Sequence, residues 1–213
     1  MENRDILRHI DHTLLKAVSD RQGILKLCSE AVEHKTASVC IPPSYVKFAR
    51  ENFPSLNICT VIGFPLGYST KEVKVFEAAD AIKNGADEVD MVINLGDVKN
   101  EEFEKVTNEI TAVKKAADGR MLKVIIETCY LDEDEKLKLC KCVLDAGADY
   151  IKTSTGFGSD GAKEEDILLF KRYLGNRAKI KAAGGIRTRE AMEDFLELGC
   201  DRIGTSNTSI LFD

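Results

Sequence analysis

The phrase Gly–small–Asp occurs three times, each time between a helical stretch and an apolar run: Gly85-Ala-Asp-Glu-Val-Asp, Gly147-Ala-Asp-Tyr-Ile-Lys and Gly199-Cys-Asp-Arg-Ile-Gly. The glycine reads as a helix terminator, and the run behind it as an entering strand. Helices that hand over to strands in this way restrict the chain to α/β architectures. By our count the phrases precede the fourth, sixth and eighth strands. Recurrence on alternate strands suits a barrel, where alternate strands supply the interior layers.

Hydrophobic periodicity supplies the other elements. Residues 2–9 form a short leading helix and residues 10–15 a first strand. Ser19 or Asp20 caps a helix to His34, a strand runs from Ala37 to Ile41, and Pro42-Pro43 opens a helix over 44–52. A buried strand starts at Asn57 and closes at a Gly/Pro turn, followed by a helix over 71–84 capped by Ser69 or Thr70. Strand 88–94, helix 100–117, strand 122–128 and helix 132–146 come next. Strand 150–154 runs into the glycine-rich loop Thr155–Gly161, and helix 163–174, strand 178–183, helix 188–198 and a last strand from Arg202 complete the chain. About eight strands alternate with helices, and their continuous apolar character suits a covered parallel sheet. The expected fold is α/β, a (β/α)8 TIM barrel spanning residues 1–213 as one domain, with a short N-terminal helix. A doubly wound open sheet is the alternative, but no G-x-G-x-x-G follows the first strand.

The net charge of -6 comes without any basic cluster, which argues against nucleic acid or an anionic membrane as partner. No stretch approaches the length of a membrane span, and Met-Glu-Asn-Arg-Asp has no apolar run behind it to make a leader. A cytoplasmic location is expected. The seven cysteines lie scattered in apolar segments and the three histidines lack ligand spacing, so reduced core thiols are expected and a zinc site is not. Cys40 and Cys129, near strand ends, are the two placed to face a pocket.

In a barrel the active site lies at the C-terminal ends of the strands, and three strands carry a charge there: Asp90, Lys152 and Lys181. A lysine inside an apolar strand is costly unless its charge is paired, lost or used; at a strand end it can also snorkel to water. An Asp and two Lys in one barrel form a neutralising cluster or a Schiff-base site. A lysine attacks a carbonyl as the free amine, which is about 0.04% of an unperturbed lysine at pH 7. Lowering its pKa to 7 takes roughly 4.6 kcal/mol. A second ammonium about 4 Å away supplies roughly 4 kcal/mol at an effective dielectric near 20. Lys181 is therefore of the right size to activate Lys152, and Asp90 would move protons. Beside them, Gly184-Gly185 and Gly204-Thr-Ser sit where this fold holds phosphate, or simply make tight turns.

Segments along nearly the whole chain resemble the bacterial deoxyribose-phosphate aldolase family: Ile10-Asp-His-Thr-Leu-Leu-Lys, Val39-Cys-Ile-Pro-Pro, Val61-Ile-Gly-Phe-Pro-Leu-Gly, Glu88-Val-Asp-Met-Val-Ile-Asn, Lys123-Val-Ile-Ile-Glu-Thr, Ile151-Lys-Thr-Ser-Thr-Gly-Phe and Ile180-Lys-Ala-Ala-Gly-Gly-Ile-Arg-Thr. The resemblance implies a class I aldolase that reversibly cleaves 2-deoxy-D-ribose 5-phosphate to D-glyceraldehyde 3-phosphate and acetaldehyde, without metal or organic cofactor. It implies Lys152 as the Schiff-base lysine, Lys181 as its perturber and Asp90 in proton transfer. Gly184, Gly185, Gly204, Ser206 and Asn207 would hold the phosphate, with Thr155 and Gly156 at the sugar end. A homodimer is also implied by the family.

Two departures stand out. Asn207 replaces the second serine of the family's Gly-x-Ser-Ser, and its amide can still donate. The end, Phe212-Asp213, has no tail tyrosine of the kind found in some members; if that tyrosine assists proton transfer in them, this chain must use another route or be slower. Glu127, on the same face as Lys123, is a secondary candidate able to pair with an active-site lysine. Asp11 and Thr13 either line the pocket floor or hydrogen-bond within the first strand; His12 and His34 read as structural or exposed. A different Schiff-base aldolase or transaldolase, and an inactive sugar-phosphate-binding barrel, are the competing readings. The intact trio argues against the latter.

Overall fold

Eight parallel strands close into a barrel in the order β1 to β8, with β8 paired back to β1. The strands of this computed structural model, which describes residues 1–212, are Ile10–Thr13 (β1), Ser38–Ile41 (β2), Ile58–Ile62 (β3), Glu88–Val92 (β4), Met121–Ile125 (β5), Tyr150–Lys152 (β6), Lys179–Ala183 (β7) and Arg202–Thr205 (β8). Around them lie helices Asn3–Leu7 (α1), Arg21–His34 (α2), Val46–Asn52 (α3), Lys71–Lys83 (α4), Leu95–Lys99 (α5), Phe103–Ala116 (α6), Glu133–Asp145 (α7), Glu164–Leu174 (α8) and Arg189–Glu197 (α9). The expected (β/α)8 architecture is what the chain adopts.

Local chemistry sets the helix ends. Asp20 accepts the Gly23 N–H at 2.8 Å, and Thr188 accepts that of Ala191 at 3.2 Å. Asp132 and Glu135 form a reciprocal box in which each side chain accepts the other's backbone N–H. The oily layer lies between sheet and helices, where residues such as Ile24, Val39, Val89, Val113, Ile151 and Phe170 are fully buried.

The repeated phrase has one mechanical role. Gly85, Gly147 and Gly199 all take positive φ, which turns the chain out of its helix. The aspartate two residues on then clamps the start of the preceding strand. Asp87 accepts the Ile58 N–H (3.0 Å), Asp149 that of Leu122 (2.7 Å) and Asp201 that of Ile180 (3.0 Å). In return each aspartate's own N–H donates to the carbonyl of that same residue. Strands β3–β4, β5–β6 and β7–β8 are thus stapled in pairs at the end of the barrel where the strands begin.

Several boundaries differ from the expected ones. β4 stops at Val92 because the Asn94 side chain turns to accept the Gly96 N–H and starts α5, a five-residue helix that the pattern did not show. β5 stops at Ile125, since Glu127 takes a left-handed conformation (φ 54) and opens a 3-10 turn over Thr128–Tyr130. β6 ends at Lys152, and a second unforeseen 3-10 turn covers Thr208–Leu211.

Candidate active site

The barrel interior is filled by charge rather than by aliphatic layers. Asp90, fully buried on β4, is the hub. Its Oδ2 accepts from Lys152 Nζ and Lys181 Nζ, each at 2.8 Å, and its Oδ1 from Lys123 Nζ at 2.9 Å and Cys59 Sγ at 3.1 Å. Register explains the convergence. Asp90 pairs with Lys123 across β4–β5, and Lys152 with Lys181 across β6–β7; across β5–β6 Lys152 lies opposite Ile125, so the lysine pair stands one inward-facing position further along the strands than Asp90 and Lys123. Below this hub, Lys181 also donates to Asp11, and Lys123 to Glu88 at 2.5 Å. Arg202 spans the same two carboxylates, reaching Asp11 and Glu88.

Burial pushes the Asp90 and Asp11 carboxyls up, but the surrounding lysines outweigh it and hold both below the usual carboxylate range. The same balance runs in reverse for Lys181 and Lys123. Burial lowers them, while the facing carboxylates carry both above the usual lysine range. Lys181 and Lys123 therefore stay cationic. Counting Lys123, Lys152, Lys181 and Arg202 against Asp11, Glu88 and Asp90, the ionised interior carries one positive charge more than it can pair.

Above the cluster opens a cavity of about 240 Å³. Of the trio, Lys152 alone lines it, with Asp90 and Lys181 beneath. Its walls include Thr155 and Gly156 on the β6–α8 loop, Gly184 and Gly185 after β7, Gly204 within β8 and Ser206 just after it. Asn207 is not on the wall. Its Nδ2 donates to the Arg187 carbonyl at 2.6 Å and so ties the loop after β7 to the segment after β8. Gly204 leaves room for the Lys181 stem, whose Cε would lie 3.1 Å from any Cβ placed there. A wider groove of about 760 Å³, outside the barrel between the start of α4 and α5–α6, holds none of these residues.

A profile of the DeoC/LacD family of aldolases matches residues 6–205. The chain belongs to that family. This aldolase is 56% identical over 207 residues to a deoxyribose-phosphate aldolase of Clostridium botulinum (strain Alaska E43), covering 97% of this chain and 94% of the relative. It is likewise 56% identical over 205 residues to one from Clostridioides difficile (strain 630), covering 96% and 94%. Among solved structures it superposes on the deoxyribose phosphate aldolase of Aeropyrum pernix, described as a unique tetramer, with a TM-score of 0.91 and 30% identity over 99% of this chain and 91% of that one.

Some of the aldolase's site residues escaped the sequence reading. Glu88, Arg202 and Lys123 complete the charged interior with Asp11, which is fully buried and off the cavity wall, whereas Thr13 lines the cavity. Alternation from Asp90 puts Glu88 on its face, which was the available signal; nothing in the sequence oriented Arg202. Lys16 and Arg187 add two cations to the cavity wall. Glu127 meets no lysine: its carboxylate accepts the N–H and hydroxyl of Thr155. Cys40 and Cys129 do not reach the cavity wall. Cys40 lies against Cys59, and these two thiols and Asp90 offer ligand atoms within 4.8 Å of one another. Both oxygens of that carboxylate are already held by ammonium groups, so the cluster is poorly suited to a cation. All seven cysteines are free. His12 is buried between Glu30 and Thr208, and His34 stacks on Phe212 at 3.9 Å.

Proposed function

We propose that this chain, as a single catalytic domain, reversibly cleaves 2-deoxy-D-ribose 5-phosphate to D-glyceraldehyde 3-phosphate and acetaldehyde through a Schiff base on Lys152. The observation that carries this reading is the shared Asp90 oxygen: it takes both lysines at 2.8 Å, and of these Lys152 alone faces the cavity. A cationic Lys181 shares that oxygen with it, in an interior with one surplus positive charge, and the Schiff-base step uses Lys152 as the free amine.

The neutral amine adds to the substrate C1 carbonyl, and loss of water gives the iminium. A base removes the C3 hydroxyl proton, the C2–C3 bond breaks, and D-glyceraldehyde 3-phosphate leaves while the bonding pair forms the enamine. Protonation of the enamine carbon and hydrolysis return acetaldehyde and the free lysine. Asp90, within hydrogen-bond reach of both lysines, is the group placed to relay these protons, directly or through water. The dianionic phosphate suits the Gly184–Gly185 and Gly204–Ser206 wall, where Arg187 and Lys16 supply opposite charge. In this reading no metal or organic cofactor takes part.

No helix among the described residues is long and apolar enough to cross a membrane, and reduced thiols fit a cytoplasmic setting. A homodimer is the proposed assembly. Leu66, Tyr68, Val73 and Phe76 expose an apolar patch on the β3–α4 side that a second copy would cover, and sedimentation of a Phe76→Glu variant as a monomer tests it.

The decisive experiment is borohydride reduction in the presence of acetaldehyde, followed by peptide mass spectrometry. A two-carbon adduct on Lys152 is the expected result. An adduct on Lys181 instead would exchange the lysine roles, and no adduct on either in folded protein would end the Schiff-base reading.

A further inference from the structure

Glu127 is a buried carboxylate that the reaction above leaves without a task. It is 3% exposed and holds a left-handed backbone (φ 54, ψ 67) that side-chain-bearing residues resist. Such strain persists only where the surroundings over-determine it. Here they do so through one partner. Glu127 Oε1 accepts the Thr155 N–H at 3.1 Å, and Oε2 accepts the Thr155 hydroxyl. The chain beyond is pressed onto the same carboxyl: a Cβ on Gly158 would lie 3.1 Å from Glu127 Cδ and 3.0 Å from Cys129 Sγ. Thr155 lies three residues past Lys152 and lines the cavity.

The bonding pattern fixes more than a position. A hydroxyl has one proton and two lone pairs. The Thr155 proton is committed to Glu127, and one lone pair accepts the Phe157 N–H at 3.0 Å. One acceptor direction is left. The hydroxyl can therefore receive a hydrogen bond from a ligand but cannot give one.

We infer that Glu127 is a positioning residue that sets the polarity of Thr155, making it an acceptor that reads a free hydroxyl on the phosphorylated aldehyde. This rests on the aldolase reading above. The hydroxyl in question is the C4 hydroxyl of the sugar phosphate, which becomes the 2-hydroxyl of D-glyceraldehyde 3-phosphate. Glu127→Gln nearly preserves shape and inverts the chemistry. A glutamine oxygen that keeps the Thr155 N–H turns an NH2 towards the hydroxyl. The hydroxyl must then accept from it and direct its own proton elsewhere.

The test is aldol addition of acetaldehyde to two acceptors, D-glyceraldehyde 3-phosphate and 3-oxopropyl phosphate, which lacks the hydroxyl. The parent enzyme should prefer the hydroxylated acceptor in kcat/KM, and Glu127→Gln should reduce that preference about fivefold, the worth of one neutral hydrogen bond. Thr155→Val should reduce it similarly, Thr155→Ser should retain it, and Glu127→Gln added to Thr155→Val should change it less than twofold further. An equal fall for both acceptors in Glu127→Gln would mean mere loosening of the loop and overturn the inference. So would independent effects in the double variant, or a parent that uses both acceptors equally. Borohydride trapping of acetaldehyde on Lys152 in the same preparations separates the two levels. Trapping with unchanged preference overturns the Glu127 role alone, whereas no trapping in the parent removes the aldolase reading beneath it.

Discussion

Asp90→Asn and Lys181→Met should both silence the enzyme yet differ sharply in stability, because they move the interior charge in opposite directions. With all groups ionised, the interior holds four cations and three carboxylates. Replacing Asp90 by an amide raises the surplus to two charges and strips three buried ammonium groups of a shared counter-ion. Removing one partner of a buried pair costs about 3–5 kcal/mol. For a chain of this length that lowers Tm by roughly 6–20 °C.

Lys181→Met brings the charge to balance instead. Two charge-assisted hydrogen bonds are lost, about 1.5–3 kcal/mol each. Against this, Lys181 and Lys152 share one oxygen at 2.8 Å, so their ammonium groups are at most about 5.6 Å apart. That repulsion, about 3 kcal/mol at an effective dielectric near 20, is relieved. Asp90 keeps Lys123 and Lys152, and Asp11 keeps Arg202. The net change should stay within about 3 kcal/mol, while kcat falls by roughly 10²–10⁴ through loss of the fixed cation. Urea unfolding with parallel turnover of 2-deoxy-D-ribose 5-phosphate reads both quantities. If Lys181→Met unfolds as readily as Asp90→Asn, or Asp90→Asn is as stable as the parent, the charge balance is not what organises this interior.

Three further outcomes follow from the same geometry. Asp11 and Asp90 titrate lower in the folded protein than in the unfolded chain, so the unfolded state binds more protons in acid. The stability they contribute is complete above about pH 5 and is lost as pH falls through about 4 and below, and Asp90→Asn should flatten the acid limb of a urea-midpoint profile by about 1.4 kcal/mol per pH unit. Gly161→Ala would set a Cβ 2.2 Å from the Gly184 carbonyl oxygen; by displacing the β7–α9 loop it should raise KM for the sugar phosphate at least tenfold and lower kcat less. Asn207→Ala removes the 2.6 Å tie to Arg187. One hydrogen bond of about 1 kcal/mol translates into a roughly fivefold rise in KM with little change in kcat.

The barrel was legible because its signals are local and repeated: a glycine that ends each of three helices, an aspartate two residues on, and apolar runs between. The position of Lys152 was legible for a related reason, as a lysine inside an apolar strand followed by a glycine-rich loop demands an explanation. What escaped was set by closure. Whether Arg202 points into the barrel depends on how β8 meets β1 and β7, a relation spanning almost the whole chain. The reach of Glu127 to Thr155 depends on a single left-handed residue that ends β5 early. Short pieces such as α5 escaped because five residues do not complete a hydrophobic period.

The aspartate clamps carry a consequence for how such a barrel can change its length. They join β3 to β4, β5 to β6 and β7 to β8, while Ala37, at the corresponding place before β2, bonds Ile10 through its backbone alone. The smallest piece that brings its own fastening is therefore two strands with their helices, a quarter of the circle. Duplication or exchange of such a quarter leaves every staple whole; insertion of one strand leaves an aspartate facing the wrong neighbour. The grammar of this chain is written in couplets.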